Sequence, residues 1–216
     1  MPTVLSTKKL ALNQKELLLN SGIGIVEYDA ISIEFIDFQL ESLEIEYAIF
    51  TSKNAVKAVE GKLTSATKCF CVGEKTSAYA RDIGFQVLEQ ADNASKLANI
   101  LIQKYRNGKF HFFSGNKRRE ELPALLKENN IAFAETKVYN THLNKREFKS
   151  QFDGILFFSP SAVISFTATN KLETKAFCIG ETTASEARKH TDKIIVANKP
   201  GIENVIAKVV ANLKNH

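Results

Sequence analysis

The sequence predicts an α/β protein built from two parallel-sheet domains. Three observations predict it. Short apolar runs alternate with stretches of helical spacing, a block of sequence recurs at a fixed offset, and the three cysteines are too few to staple a smaller scaffold. Apolar residues make up 44% of the 216 and charged residues 25%, which excludes a disordered, collagenous or fibrous chain and leaves enough apolar side chains for a core.

The apolar runs read as buried strands. In order they are Val4–Ser6, Gly24–Tyr28, Tyr47–Thr51, Cys69–Val72, Lys109–Phe113, Ile131–Ala134, Gly154–Phe158, Ala176–Ile179 and Lys193–Ala197. Helical stripes follow most of them: Leu97, Ile100 and Leu101, then Leu122, Leu125 and Leu126, then Val205, Ile206, Val209 and Val210. Asn13 with Glu16 predicts a helix cap, and Pro200 suits the first turn of the last helix. Gly22-Ile23-Gly24 reads as a helix end followed by a strand. Strands alternating with helices imply a parallel sheet covered on both faces, with ligands bound outside the carboxyl ends of the strands.

The repeat has an offset of 107. Residues 47–84 and 154–191 share thirteen identities in 38 positions without a gap. Phe50-Thr51-Ser52-Lys53-Asn54-Ala55-Val56 maps onto Phe157-Phe158-Ser159-Pro160-Ser161-Ala162-Val163, and Val72-Gly73-Glu74-Lys75-Thr76 onto Ile179-Gly180-Glu181-Thr182-Thr183. A weaker echo at 108 maps Leu5-Ser6 onto Phe113-Ser114, Leu17-Leu18 onto Leu125-Leu126 and Glu27 onto Glu135. The chain is therefore two kinds of segment, each used twice, in the order 1–30, 46–105, 109–138 and 153–213. The sequence leaves open which short segment shares a domain with which long one.

The polar residues fall at the predicted strand ends. Ser52 and Ser159 each end an apolar run and open a helical one, so both suit helix caps; the same helix starts expose backbone N–H groups that bind carboxylates or phosphates. Thr76 and Thr183 can cap a helix or hydrogen-bond a ligand. In Ser114-Gly115-Asn116-Lys117-Arg118 and Ser6-Thr7-Lys8-Lys9, basic residues follow a strand end, which suits an anionic ligand as well as plain solvation. Tyr139 lies where the chain must cross between domains. It reads either as a packed linker residue or as a phenol donating a hydrogen bond or proton to a leaving group.

Other chemistries find little support. The charge of +5, from 29 basic and 24 acidic residues, is scattered, and no basic stretch carries interleaved aromatics, so nucleic-acid binding is not expected. Neither G-x-x-x-x-G-K-[ST] nor G-x-G-x-x-G occurs. Cys69 and Cys71 share a strand face with no metal-ligand cluster nearby, and Cys71 and Cys178 read as small buried apolar residues. The four histidines (His111, His142, His190, His216) show no ligand or triad spacing. No run approaches the roughly 18 apolar residues of a membrane span. The N-terminus lacks the apolar core of a signal peptide, and with sparse cysteines this predicts a cytoplasmic protein.

Taken together, the ordered motifs resemble the uroporphyrinogen-III synthase family. The resemblance rests on Phe50–Val56, Val72–Thr76, the run from Ser114 to Glu135 and Tyr139-Asn140-Thr141, Phe158–Val163 and Ile179–Ala184. It implies two flavodoxin-like, doubly wound parallel-sheet domains joined by a two-stranded linker, one of them discontinuous. The first would hold 1–33 and 143–216 and the second 39–136, with linker strands near 31–38 and 137–143 and the active site in the cleft between domains. The implied reaction is cyclisation of hydroxymethylbilane to uroporphyrinogen III with inversion of ring D and loss of water, using no metal or organic cofactor. Tyr139 matches the family tyrosine proposed to help the hydroxyl leave, and Thr183 a threonine facing the same cleft. Substrate contacts are expected from Ser52, Asn54 and Thr76, from Ser114, Gly115, Lys117 and Arg118, and from Ser159, Ser161 and Thr182. The expected partner is the small-molecule substrate, with the preceding pathway enzyme a further candidate, no nucleic acid, no membrane, and a monomeric state. The rival readings are a non-enzymatic two-domain receptor for an anionic metabolite and a phosphosugar or nucleotide enzyme; fold alone permits both.

Overall fold

The computed structural model describes residues 1–40 and 45–213. Residues 41–44, inside the expected second domain, and 214–216, which close the expected first domain and include His216, lie outside the described residues. In chain order the elements begin β1 (Thr3–Ser6), α1 (Leu12–Leu19), β2 (Gly24–Glu27), β3 (Ile31–Phe35), β4 (Tyr47–Phe50), α2 (Lys53–Val59) and β5 (Lys68–Val72). There follow α3 (Glu74–Asp82), β6 (Gln86–Ala91), α4 (Ala94–Lys104), β7 (Phe110–Gly115), α5 (Glu121–Glu128) and β8 (Phe133–Leu143). The chain ends with β9 (Gly154–Phe157), α6 (Pro160–Thr167), β10 (Lys175–Cys178), α7 (Glu181–Ala187), β11 (Ile194–Val196) and α8 (Ile202–Leu213).

Two compact units result. Unit 1 is Met1–Ser32 with His142–His216, and unit 2 is Ile33–Thr141, so the chain crosses between them inside β3 and inside β8. Unit 1 carries a sheet of order β11-β10-β9-β1-β2, every neighbouring pair parallel. Unit 2 carries β3-β8-β7-β4-β5-β6, parallel from β8 to β6.

Residues along each strand alternate between the two faces, as the two-residue period of a strand requires. In unit 1, Leu5, Ile155, Phe157, Ala176 and Cys178 join the core under α6 and α7. Val4, Leu156 and Phe177 join the opposite one under α1 and α8. In unit 2, Ala48, Phe50, Cys69, Cys71 and Phe113 pack under α2 and α3, and Ile49, Phe70, Phe110 and Phe112 under α4 and α5. Each sheet is thus apolar on both faces, which explains why its strands read as continuous apolar runs. All three cysteines are buried, and burial pushes the Cys178 thiol up to about 12.

Several local expectations need correction. Asn13 does not cap α1; the cap is Ala11, whose N–H donates to the Gln14 side chain at 3.0 Å, so the helix starts a residue before the expected signal. Pro200 lies outside α8, which begins at Ile202 after Gly201. The strand expected at Ile131–Ala134 begins at Phe133, because Asn130 turns the chain at φ 57° and the Ile131 N–H closes the end of α5 on Leu126. Strand β6 was not expected: Gln86-Val87-Leu88-Glu89-Gln90-Ala91 carries three polar or charged residues among its six and forms the sheet edge.

Candidate functional site

Within each unit the parallel strands end on one edge, and the chain reverses direction across the sheet at one point on it. Such switch points open a crevice between adjacent strand ends, where open α/β sheets bind ligands. In unit 1 it lies between β1 and β9, and in unit 2 between β4 and β7. The expected loops Ser6–Lys9 and Ser159 flank the first; Ser52 and Ser114–Arg118 flank the second.

In unit 2, Ser52 caps α2 and its hydroxyl accepts from the Asn54 N–H at 3.1 Å. Both residues are half-buried. The cap of α3 is Gly73, not Thr76; Gly73 takes φ +85°, a region that favours glycine. Thr76 stands two residues into α3, buried, and its hydroxyl has no partner among the described residues.

The β7 end is the most elaborated place. Register shifts between Ser114 and Gly115, so that Gly115 stands opposite Tyr139 on β8. The Tyr139 ring lies directly on Gly115: a Cβ built there falls 2.3 Å from Cζ. Asn116 follows. Its N–H donates to the Tyr139 carbonyl at 3.2 Å, its Oδ1 accepts from the Thr141 N–H at 2.8 Å and its Nδ2 donates to the Thr141 carbonyl at 3.4 Å. Tyr139 is half-buried, and its hydroxyl has no partner among the described residues.

Arg118 is not the open cation the sequence suggests. Its Nε and Nη2 bind the two oxygens of Glu135, the second at 3.0 Å, and its Nη1 lies 2.6 Å from Glu120. Ser114 donates to the same Glu135 at 2.6 Å. Burial works to raise the Glu135 carboxyl, but the hydrogen bonds from Arg118 and Ser114 and the nearby positive charges outweigh it and hold the group below its ordinary range. These bonds likewise hold the Arg118 guanidinium above its own. Lys117, by contrast, is exposed. The loop and β8 line a pocket of about 390 Å³ formed by Ser114, Gly115, Asn116, Arg118, Glu120, Glu135 and Lys137.

In unit 1, Ser159 caps α6 with its hydroxyl accepting from the Ala162 N–H at 3.2 Å, and Pro160 occupies the first turn. Ser161 is half-buried and Thr182 exposed. Thr183 is buried in α7, two residues past its first, and again the cap is the glycine, Gly180, here in an extended conformation at φ −177°. A Cβ on Gly180 would meet nothing within 4 Å. The Ser6–Lys9 loop is closed by its own unit. Thr7 donates to the Leu156 carbonyl at 2.7 Å, Lys9 N–H donates to Asp29 at 3.0 Å, and Leu10 N–H donates to Glu27 at 2.6 Å. Lys15 pairs with the same Glu27 at 2.6 Å. The Lys9 and Leu10 N–H groups are thus taken by carboxylates, while Lys8 and Lys9, the basic residues expected to suit an anionic ligand, are exposed.

A cavity of about 470 Å³ in unit 1 lies elsewhere. Its walls include Phe148, Phe152, Phe166 and Asn170, at the amino ends of β9 and β10, opposite the edge that carries the repeated motifs. Among the described residues no group of three or more His, Cys, Asp or Glu is placed to hold a metal ion, and no helix is long and apolar enough to cross a membrane. Sequence reasoning missed Glu135 and Asn116 as organisers of the β7 loop. The traces are positional: Asn116 follows Gly115 at a strand end, and Glu135 is the repeat counterpart of Glu27.

Residues 13–207 match the family model for uroporphyrinogen-III synthase HemD. A curated protein of Ruminiclostridium josui, porphyrin biosynthesis protein HemD, is 26% identical over 90% of this chain, and the chain spans about half of that protein's length, 45%. Among solved structures, uroporphyrinogen-III synthetase from Helicobacter pylori superposes with a TM-score of 0.72 at 19% identity, covering 98% of this chain and 100% of that one. A mutant uroporphyrinogen III synthase from Thermus thermophilus gives 0.70 at 14% identity, covering 98% and 99%. At these identities the likeness shows a shared α/β fold.

Proposed function

The chain belongs to the uroporphyrinogen-III synthase family, and from that premise we propose that it cyclises hydroxymethylbilane to uroporphyrinogen III, inverting ring D and releasing water. The observation that carries the reading is the Tyr139 phenol, seated on Gly115 at the switch-point edge of unit 2 with its hydroxyl unpartnered among the described residues. In this reading the bilane's terminal pyrrole nitrogen expels the hydroxyl group, which leaves with a proton as water. Tyr139 donates the hydrogen bond that eases its departure. The azafulvene so formed is attacked by the substituted end of ring D, the spiro intermediate fragments, and the ring recloses inverted. Such chemistry needs positioning and support of developing charge more than strong acid–base groups.

The substrate's eight carboxylates call for many weak donors rather than one strong one. Ser52 and Asn54, Thr76, and Ser114 with Gly115 and Lys117 supply them in unit 2, and Ser159, Ser161 and Thr182 in unit 1, with Thr183 toward the reacting end. Arg118 serves the loop, since Glu135 and Glu120 already hold its charge. We also read both units as doubly wound domains joined by β3 and β8. Numbered within its own unit, unit 1 has strand order 2-1-3-4-5, the flavodoxin order, and unit 2 has 3-2-1-4-5 beside the edge strand β3. The reading implies a cytoplasmic enzyme that acts as a monomer.

The test is to supply enzymatically generated hydroxymethylbilane and separate the uroporphyrin isomers after oxidation. An excess of type III is expected; type I alone, at the spontaneous rate, overturns the reading even if the bilane binds. Tyr139→Phe should lower kcat by on the order of 10–100-fold with the thermal melt unchanged. Unaltered turnover would remove Tyr139 from the mechanism.

A further inference from the structure

We propose that Gly115 and Asn116 are positioning residues that aim the Tyr139 phenol, an inference that rests on the role given to Tyr139 above. Gly115 is not among the glycines with positive φ, which are Gly22, Gly61, Gly73 and Gly84, so its backbone does not call for glycine. The space above its Cα does. A Cβ there would lie 2.3 Å from Tyr139 Cζ, 2.5 Å from Cε2 and 2.8 Å from Cε1. The ring therefore lies against the bare α-carbon along the edge that carries its hydroxyl.

Asn116 fixes the backbone beneath that ring. Beyond the register shift at Ser114/Gly115, three bonds from this one residue reach β8: N–H to the Tyr139 carbonyl, and the side-chain amide to both the N–H and the carbonyl of Thr141. The amide acts as one more rung of the ladder, taking hold two residues past Tyr139. Asn suits this place because it offers an acceptor and a donor on one short plane; Asp keeps the acceptor and loses the donor, and Ala keeps neither. Bulges next to active sites commonly re-aim a side chain in this way.

A hydrogen-bond donor must sit within about 0.5 Å of its working place, and a 1 Å misplacement costs on the order of 100-fold. In Gly115→Ala the ring must retreat by about 1 Å to reach ordinary contact with the new methyl group. We expect kcat to fall by on the order of 10–100-fold with KM within about two-fold, as for Tyr139→Phe. The double variant Gly115→Ala/Tyr139→Phe should be no slower than Tyr139→Phe alone. Asn116→Ala should lose more kcat than Asn116→Asp. A readout independent of turnover is fluorine NMR of protein carrying 3-fluorotyrosine at its five tyrosines. The resonance lost in Tyr139→Phe identifies residue 139, and Gly115→Ala should move that resonance and leave the other four.

An unmoved Tyr139 resonance, or losses that multiply in the double variant, overturns the proposal. A Tyr139→Phe protein with full turnover instead overturns the role of the phenol, and the resonance still reports whether Gly115 and Asn116 place the ring. Should Gly115→Ala fail to fold, Asn116→Asp carries both measurements, with the same two outcomes deciding.

Discussion

Units 1 and 2 are the same strand order reached by two routes. From one edge, β11-β10-β9-β1-β2 matches β6-β5-β4-β7-β8, element for element, but in unit 1 the β1-α1-β2 segment precedes the longer one in the chain and in unit 2 its counterpart follows. One divergence lies at the switch point. After the shared serine, unit 1 has Thr7, whose hydroxyl ties β1 to β9 through the Leu156 carbonyl. Unit 2 has Gly115, which offers no hydroxyl and gives its space to a tyrosine ring. One copy uses the position to seal its sheet and the other to seat a phenol. A duplicated scaffold can keep its strand order and change its chemistry at a single residue.

The sharpest break between the copies, and the largest expected effect, lies in the cores. Tyr47 and Phe70 of unit 2 meet edge to face at 5.4 Å, with Tyr105 also against Phe70 at 4.7 Å. Their repeat partners in unit 1 are Gly154 and Phe177, and a Cβ on Gly154 would lie 2.5 Å from the Phe177 ring. Removing either buried phenylalanine should cost about 3–5 kcal/mol. Phe177→Ala should cost the more, because Gly154 has no side chain to relax into the cavity while Tyr47 and Tyr105 can lean into that left by Phe70→Ala. Gly154→Val should destabilise the parent protein by about 1–3 kcal/mol yet stabilise Phe177→Ala. Denaturant unfolding of the four variants measures this, and a Gly154→Val effect of the same sign in both backgrounds would refute it.

The helix caps make a finer comparison. Ser52→Ala and Ser159→Ala should each lose about 1 kcal/mol, with Ser159→Ala at the lower end because Pro160 already fixes the first turn of α6. Because the carboxylate donors are many, turnover should survive both changes. A folded but inactive Ser52→Ala protein would show that donors are not shared out as proposed.

These contrasts also show what a sequence can carry. The strands are readable because both faces of each sheet are buried, so Tyr47–Phe50 and Gly154–Phe157 are unbroken apolar runs. Ser159-Pro160 announces its helix because capping is a local matter of two adjacent residues. The unexpected β6 and the over-read Asn13 are local signals overruled by neighbours: Gln86–Ala91 forms a strand because β5 offers it a ladder, and Ala11 takes the cap position expected of Asn13, its N–H held by the Gln14 side chain. The site is harder. Arg118 reads as a free cation until the fold brings Glu135, 17 residues later and on another strand, against it. Asn116 reads as a loop residue until register sets it beside Thr141. Pairings of that kind depend on the register between strands, which no local spacing encodes.

The smallest expected effect tests the ion pair that distinguishes the β7 loop from its counterpart. In unit 1, Glu27 spends one oxygen on the Leu10 N–H and the other on Lys15; in unit 2, Glu135 takes two nitrogens of Arg118 and the Ser114 hydroxyl. Glu135 is held below its ordinary value of 4.5, so its ionised form favours the folded protein. The stabilisation is complete above that value and fades as pH falls through the lower, folded-state one. Glu135→Gln lacks it and leaves Arg118 with Glu120 alone. Because the pair is partly open to solvent, the parent should exceed the variant by about 1 kcal/mol or less at neutral pH. The gap should stay constant down to the ordinary carboxylate range, narrow below it, and shrink with added salt. Urea unfolding of both proteins along a pH series measures the gap; one that widened toward acid would mean that burial, and not Arg118, governs this carboxylate.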